Sequence, residues 1–197
     1  MEAEERKDLM SVPVEVSARH IHPDQATQDA LFGPGYAMRI AKDLSQHGQW
    51  AAEEKVTVKG PHGELAVRIL GPCREKTQVE LTRTECRQLG IPAVVRVSGD
   101  LAGTPGVRLI GPAGEITLDE GAVVVQRHIH ISDRQAADRG LVKGQSVKVK
   151  VPGVRGVVFE NVIVRVHPTF DLTLHLDTDE GNACGAEMKG GFGEMIA

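Results

Sequence analysis

The stretch RHIHPDQA at residues 19–26 returns as RHIHISDRQA at residues 127–136. In both places a His-x-His pair runs directly into Pro, Ser or Asp followed by helix-forming residues, the composition of a helix N-terminus. In an extended backbone residues i and i+2 face the same side, so His20 and His22 share one face, as do His128 and His130. Two imidazoles so placed are within reach of one ion. A lone His-x-His is more often two half-buried histidines. Two pairs ahead of two capped helices favour a shared chemical role.

Laying the chain on itself extends the repeat. TQVELTRTE (77–85) aligns with LTLHLDTDE (172–180), which sets Glu80 on His175. Upstream of each lies a strand pair joined by a Gly/Pro turn, KVTVKGPHGELAVRILGP in the first copy and SVKVKVPGVRGVVFENVIVRVHP in the second. The first copy carries an additional GYAMRIAKDLSQHGQWAAEE between its His pair and its hairpin. If Glu80 and His175 complete the two sets, the chain holds His20/His22/Glu80 and His128/His130/His175. Three protein ligands with an open fourth position is the arrangement of catalytic zinc, whereas structural sites use four.

Working outward, the apolar residues fall in short alternating runs such as KVTVKG, LAVRILG, TQVELT, VRLIG, AVVVQ, SVKVKV and NVIVRV. Period-2 alternation means strands with one buried face, and the intervening Gly/Pro turns have the spacing of small barrels. The expected fold class is mainly β: two β-barrel domains related by an internal repeat, each capped by short α-helices. The domains are placed at 12–106 and 107–190, with SGDLAGTPG (98–106) as hinge and exchange of strands between barrels compatible with the order. Helices are expected only at HPDQATQDALFG, RTECRQLG and SDRQAADRG, and at the capped start following His175. The closing GGFGEMIA is uninformative.

Composition removes several function classes. The 197 residues include 41% hydrophobic side chains and carry a net charge of −4 with signs interspersed. That balance offers no basic stripe for nucleic acid, and no apolar run approaches the ~20 residues of a membrane span. The acidic MEAEERKDLM lacks the order of a signal peptide, which predicts a cytoplasmic chain. Cys73, Cys86 and Cys184 form no CxxC pair and read as reduced, mostly buried thiols, with Cys184 close to the candidate site. His47, His62 and His167 lie in turn-like sequence and read as surface residues. Neither a GxGxxG nor a GxxxxGK[ST] loop occurs, so an anion site must rest on metal and side-chain donors. Arg74, six residues before Glu80, has a guanidinium suited to phosphate oxygens, although the residues alone favour a surface-loop arginine.

Six ordered blocks then carry a resemblance: VPVEVSARHIHP, KDLSQHGQWAAEEKVTVKGPHG, RILGPCREKTQVELTRTE, SGDLAGTPGV, RHIHIS and DTDEGNACG, spanning about residues 12–185. In that order they resemble the PduL-type phosphate acyltransferases, or phosphate propanoyltransferases. The resemblance implies reversible transfer of a short acyl group between coenzyme A and inorganic phosphate by a fold of two β-barrels with a dinuclear metal site, usually zinc, between them. It implies that His20, His22 and Glu80 hold one metal, that His128, His130 and His175 hold the other, and that Arg74 handles phosphate. Coenzyme A enters as substrate or product. Its site has no residue-level signature here, PDQATQDALF and the 42–53 insertion being the nearest guess.

Departures from the family pattern are few. His47 stands where Pro is expected and Cys73 where Ala is expected. The short N-terminus shows no apolar stripe of the kind that directs relatives into a bacterial microcompartment, so a soluble, unencapsulated form or a chain with a trimmed N-terminus is expected. Exposed barrel strands make a homodimer plausible. Two other readings remain at this stage: a dinuclear metallohydrolase such as a thioesterase, and a non-catalytic zinc-stabilised binding module.

Overall fold

A computed structural model describes residues 10–187 and 190–196; the acidic segment 1–9 discussed above lies outside the described residues. The elements run β1 (Ser11–Ser17), β2 (His20–His22), α1 (Gln25–Phe32), β3 (Ile40–Asp43), β4 (Trp50–Lys59), β5 (Glu64–Gly71), β6 (Gln78–Glu80), α2 (Arg83–Leu89), β7 (Val95–Arg96), β8 (Val107–Ile110), β9 (Glu115–Leu118) and β10 (Ala122–Val125). They continue with β11 (His128–Ile131), α3 (Asp133–Asp138), β12 (Ser146–Val151), β13 (Val157–Val166), β14 (Thr173–Asp177), α4 (Thr178–Cys184) and β15 (Gly191–Ile196). The mainly β class expected from the alternating runs is what the chain adopts.

The chain divides into two compact units, one of residues 19–125 and one joining residues 1–18 to 126–197. The second is a closed barrel of strand order β1-β14-β11-β13-β12-β15. Its interior is filled by the inward members of each alternation: Val12 and Val14, Ile129 and Ile131, Val149, Val162 and Val164, Leu174 and Leu176. Closure falls to β15, which pairs antiparallel with both β1 and β12. The final segment, silent in sequence, is therefore the strand that removes the barrel's open edge. Its Met195 is buried while Phe192 is exposed, an alternation obscured by three glycines at 190, 191 and 193.

The first unit is a curled, half-barrel sheet of order β7-β10-β6-β2-β5-β4-β8-β9, with β3 pairing β4. Ile21, Val56, Val58, Val67, Ile69, Val79 and Leu109 form its buried core, to which α1 and α2 contribute Leu31 and Leu89.

The two sheets repeat one local plan. The His-x-His strand β2 lies between β5, parallel, and β6, antiparallel; β11 lies likewise between β13, parallel, and β14, antiparallel. On the far side of β6 runs β10, parallel, and on the far side of β14 runs β1, parallel. Each of these outer strands precedes a His-x-His pair in sequence but lies in the sheet of the other copy. The 19–125 unit is therefore one continuous stretch, and the other unit is assembled from the segments on either side of it.

Two GPxGE turns show how helix ends are closed. Gly60 and Gly63 hydrogen-bond to each other, and the His62 amide donates to the Leu89 carbonyl at the end of α2 at 3.0 Å. Gly111 and Gly114 do the same, and the Ala113 amide donates to the Leu31 carbonyl near the end of α1 at 3.0 Å. These bonds satisfy carbonyls that a helix end leaves open. Glycine is required by contact: a Cβ on Gly111 would sit 2.3 Å from the Leu31 carbonyl oxygen, and one on Gly60 2.3 Å from that of Leu89. Gly111→Ala is expected to cost about 1–3 kcal/mol through the forced displacement of α1. Urea unfolding followed in the 19–125 unit measures it; a midpoint equal to wild type would show that the turn is not in contact with the helix.

Candidate functional site

Antiparallel pairing of β2 with β6 places His20 directly opposite Glu80 and His22 opposite Gln78. The side-chain period of 2 then turns His20, His22, Glu80 and Gln78 to one face. His20 Nε2 lies 3.2 Å from Glu80 Oε2, and His22 Nε2 lies 3.8 Å from Glu80 Oε1. The two rings meet edge-on, centroids 4.9 Å apart. One ligand atom from each residue falls within 4.8 Å of the others, a spacing that one ion can bridge. Both histidines are buried.

Arg74 enters this cluster. Its backbone N–H donates to the Pro23 carbonyl at 2.9 Å, which holds the residue after the GPC turn beside the His pair. Its Nη2 is 2.8 Å from His22 Nε2, and Nη1 donates to Ser98 Oγ at 3.3 Å and lies 4.0 Å from Glu80 Oε1. A guanidinium N–H meeting Nε2 shows that the imidazole lone pair is aimed into the cluster, as a metal ligand requires. With 34% of its side chain exposed, Arg74 also reaches solvent, so an incoming anion has access to its remaining N–H groups. The reading of Arg74 as an ordinary surface-loop residue does not fit this placement.

Two residues not anticipated from the sequence complete the network. Gln78, 1% exposed, donates through Nε2 to Glu80 Oε1 at 2.6 Å and to Ser98 Oγ at 3.0 Å. Its Oε1 accepts from the Gly99 amide at 2.8 Å. The signal was present in period 2, since Gln78 is two residues before Glu80 and shares its face. Ser98 opens the segment read as a hinge, and nothing local distinguishes it.

Charge inside the cluster is strongly biased. Burial opposes ionisation of Glu80, yet the charges and hydrogen bonds of His20, with His22 and Arg74 behind them, hold its carboxyl well below the ordinary 4.5. Burial first, then the neighbouring His20 and Arg74, push the His22 imidazole well below 6.5 despite Glu80. A neutral imidazole beside an ionised carboxylate is the protonation state that a divalent cation needs.

The second unit gathers His128, His130 and His175. Here β11 pairs with β14 so that His128 is opposite His175, the same register as His20 with Glu80. Ring centroids are 4.6 Å apart for His128 and His130, 4.6 Å for His130 and His175, and 5.2 Å for His128 and His175. His128 Nδ1 donates to the Gln126 carbonyl at 2.9 Å, which leaves Nε2 with the lone pair. Ser17 Oγ lies 3.4 Å from His175 Nδ1. Arg165 Nη1 is 3.4 Å from His130 Nε2, and the Phe170 ring packs 4.1 Å from the His130 ring. Sequence reading passed over both Arg165 and Phe170.

The remaining candidates fall outside these clusters. His47, His62 and His167 are exposed, the last against Phe170. Cys86 and Cys184 are buried, while Cys73 is partly buried with its thiol 3.2 Å from Gln28 Oε1. β3, whose last two residues open the 42–53 insertion, is exposed along its length. No described helix is long and apolar enough to cross a membrane.

Comparison with known proteins now gives this geometry its context. The family model described as phosphate propanoyltransferase matches residues 13–187. A phosphate propanoyltransferase of Citrobacter rodentium is 50% identical over 188 residues, covering 94% of this chain and 89% of its own length. Those of Listeria monocytogenes and Salmonella typhimurium are each 46% identical, cover 94% of this chain, and are themselves covered to 87% and 89%. A mainly β chain matched at this depth over nearly its full length is an enzyme, of the phosphate acyltransferase class. It belongs to the phosphate propanoyltransferase family.

Burial of His22 has a consequence for the metal-free protein. Below pH 6.5 the unfolded chain takes up a proton at His22 that the folded chain refuses, so stability falls as pH falls through this range. Glu180 acts in the opposite sense. Burial and the nearby Asp177 push its carboxyl up to about 7 against the pull of Arg127, so its ionisation erodes stability as pH rises from 4.5 to about 7. Urea midpoints against pH should therefore show His22→Gln flattening the acid-side loss and Glu180→Gln flattening the neutral-side loss. Profiles parallel to wild type in both variants would remove the two assignments.

Proposed function

We propose that the chain catalyses the reversible reaction acyl-CoA + phosphate = acyl phosphate + coenzyme A for short acyl groups, with Arg74 as a catalytic residue. The observation that carries this reading is the convergence of His20, His22 and Glu80 with the Arg74 guanidinium 2.8 Å from His22. Two divalent ions, most simply zinc, held by His20/His22/Glu80 and by His128/His130/His175, would supply Lewis-acid charge stabilisation, since imidazole and carboxylate suit that metal.

The chain's own residues have definable tasks. Phosphate at neutral pH is already an anionic nucleophile, so the reaction lacks orientation and charge stabilisation rather than a strong base. Arg74, held through its backbone by Pro23 and through Nη1 by Ser98, presents a planar fork to two phosphate oxygens and fixes the direction of the third, its Nη2 being released from His22 when that imidazole lone pair goes to a cation. That oxygen attacks the thioester carbonyl carbon; the C–O bond forms, negative charge gathers on the carbonyl oxygen, and the C–S bond breaks to release CoA thiolate. The guanidinium keeps its charge throughout, which makes it a stabiliser and not a proton donor. Gln78 has its amide nitrogen on Glu80 and Ser98 and its oxygen on the Gly99 amide, so Glu80 cannot swing away. No side chain is required to form a covalent acyl intermediate.

The reading is tested by thiol release from acetyl-CoA and propanoyl-CoA, with and without phosphate, beside metal analysis of the purified protein. Thiol release that needs both phosphate and metal, with acyl phosphate as product, is expected. Free acid formed without phosphate would instead favour the metallohydrolase. Arg74→Ala should lower kcat/KM by about 10²–10³ with metal content retained, whereas Glu80→Ala and His175→Ala should lose metal and activity together. Acylated protein accumulating with acyl-CoA alone would overturn the direct transfer.

A further inference from the structure

Arg19 and Arg127, the first residues of the two RHIH stretches, point away from the histidine face and make the same pair of contacts in both units. Arg19 Nη1 donates to Glu85 Oε1 at 2.8 Å, and Glu85 Oε2 accepts from the Thr82 amide at 2.9 Å. Arg127 Nη1 lies 3.2 Å from Glu180 Oε1, and Glu180 Oε2 accepts from the Asp177 amide at 3.1 Å. Thr82 and Asp177 are the N-caps of α2 and α4, and Glu85 and Glu180 are the third residues of those helices. The cap in each case is two residues past the third member of the triad, Glu80 or His175. One carboxylate thus bridges the residue before His20 or His128 to the backbone just after Glu80 or His175.

The position of this bridge matters because the ladder it closes is short. β2 and β6 have three residues each, and the β11–β14 pairing extends over three residue pairs. A ladder this short specifies its register weakly, and a slip of one residue turns every side chain to the opposite face. The bridge sits at the end of the ladder next to His20↔Glu80 and His128↔His175, where slippage would first separate the facing pair. Helix α3 has the same kind of cap, with Ser132 and Gln135, but follows the His strand itself, and its third residue is neutral. The carboxyl bridge to an arginine is found on the helices that follow Glu80 and His175.

We infer that Arg19–Glu85 and Arg127–Glu180 are positioning pairs, a register latch used twice, that hold Glu80 and His175 opposite their histidines in the geometry needed for metal binding. The link to metal rests on the ligand sets proposed above; the link to register does not. Breaking a latch loosens its own ladder and leaves the other in place. Replacing one carboxyl oxygen suffices: glutamine at the third helical position still accepts the cap hydrogen bond, as Gln135 does, but turns an NH2 donor toward the arginine in place of the second oxygen.

The experiment uses full-length Glu85→Gln, Arg19→Met, Arg19→Lys and Glu180→Gln. Amide hydrogen exchange on metal-free protein reads the ladders, and competition with a chromogenic chelator reads Zn²⁺ affinity, with Co²⁺ absorption reporting ligand geometry. Glu85→Gln and Arg19→Met should speed exchange in β2 and β6 while β11 and β14 exchange as in wild type, and Glu180→Gln should do the reverse. Zn²⁺ affinity should fall about 10–100-fold, with partial recovery in Arg19→Lys, whose single donor replaces part of the fork. Unchanged ladder exchange overturns the latch. So does an affinity loss matched by uniformly faster exchange across the chain, which signifies general destabilisation. Wild-type protein that binds neither ion would sink the ligand sets instead, and the exchange pattern would still decide the latch.

Discussion

The pairing of His20 with Glu80 across β2 and β6 is the constraint on which the rest of the site depends, and it is a matter of register. Each strand turns alternate side chains to the same face, so a histidine pair on one strand can meet a carboxylate on its neighbour in a single alignment. The same alignment sets His128 against His175 across β11 and β14. Parallel neighbours on both sides, β5 and β10 in one sheet and β13 and β1 in the other, bury these ladders and leave the histidine strands without a free edge. A three-residue strand in the middle of a sheet is positioned by its neighbours far more than by its own propensity.

That division explains what could be read from sequence. Histidines at i and i+2 share a face under any strand assignment, so the pairs were visible at once. Glu80 and His175 became visible through the chain's likeness to itself, because both are the inward polar residue of a strand entering a capped helix. Gln78 obeys the same periodicity and was missed only because an amide suggests no chemistry by itself. Ser98, Arg165 and Phe170 are different. Their placement depends on which loops and strands lie next to the triads, and that is decided by long-range pairing. The strand β15 was hidden for a local reason: glycines at 190, 191 and 193 erase the alternation, and its role as a barrel-closing strand is imposed by the open edges of β1 and β12.

The two triads share a register but not a charge. In the first, an ionised carboxylate lies among two imidazoles and a guanidinium, and mutual attraction holds Glu80 in its anionic form. In the second, three imidazoles cluster with the Phe170 ring and with Arg165 at 3.4 Å from His130. Glu80 in the first site and His175, which brings no negative charge, in the second mean that an ion bound in each place would be neutralised to different extents. The carboxylate lowers the net positive charge of its cluster, and Arg74, within hydrogen-bonding distance of His22, raises it.

An arginine accompanying the second histidine of each pair fits the chemistry of a reaction that handles anions throughout. Phosphate, acyl phosphate and the departing thiolate all carry negative charge, and burying such charge without a partner is costly. A guanidinium cannot lose its proton near neutrality, so its contribution does not depend on the protonation changes that histidines undergo. Imidazole nitrogens that give their lone pairs to a cation cannot also serve as donors. Donation to the substrate therefore falls to side chains that have no lone pair to offer. Arg74 meets that requirement geometrically: its backbone is fixed by Pro23, one nitrogen by Ser98, and with 34% of its side chain exposed the rest of the fork is open to solvent and to His22.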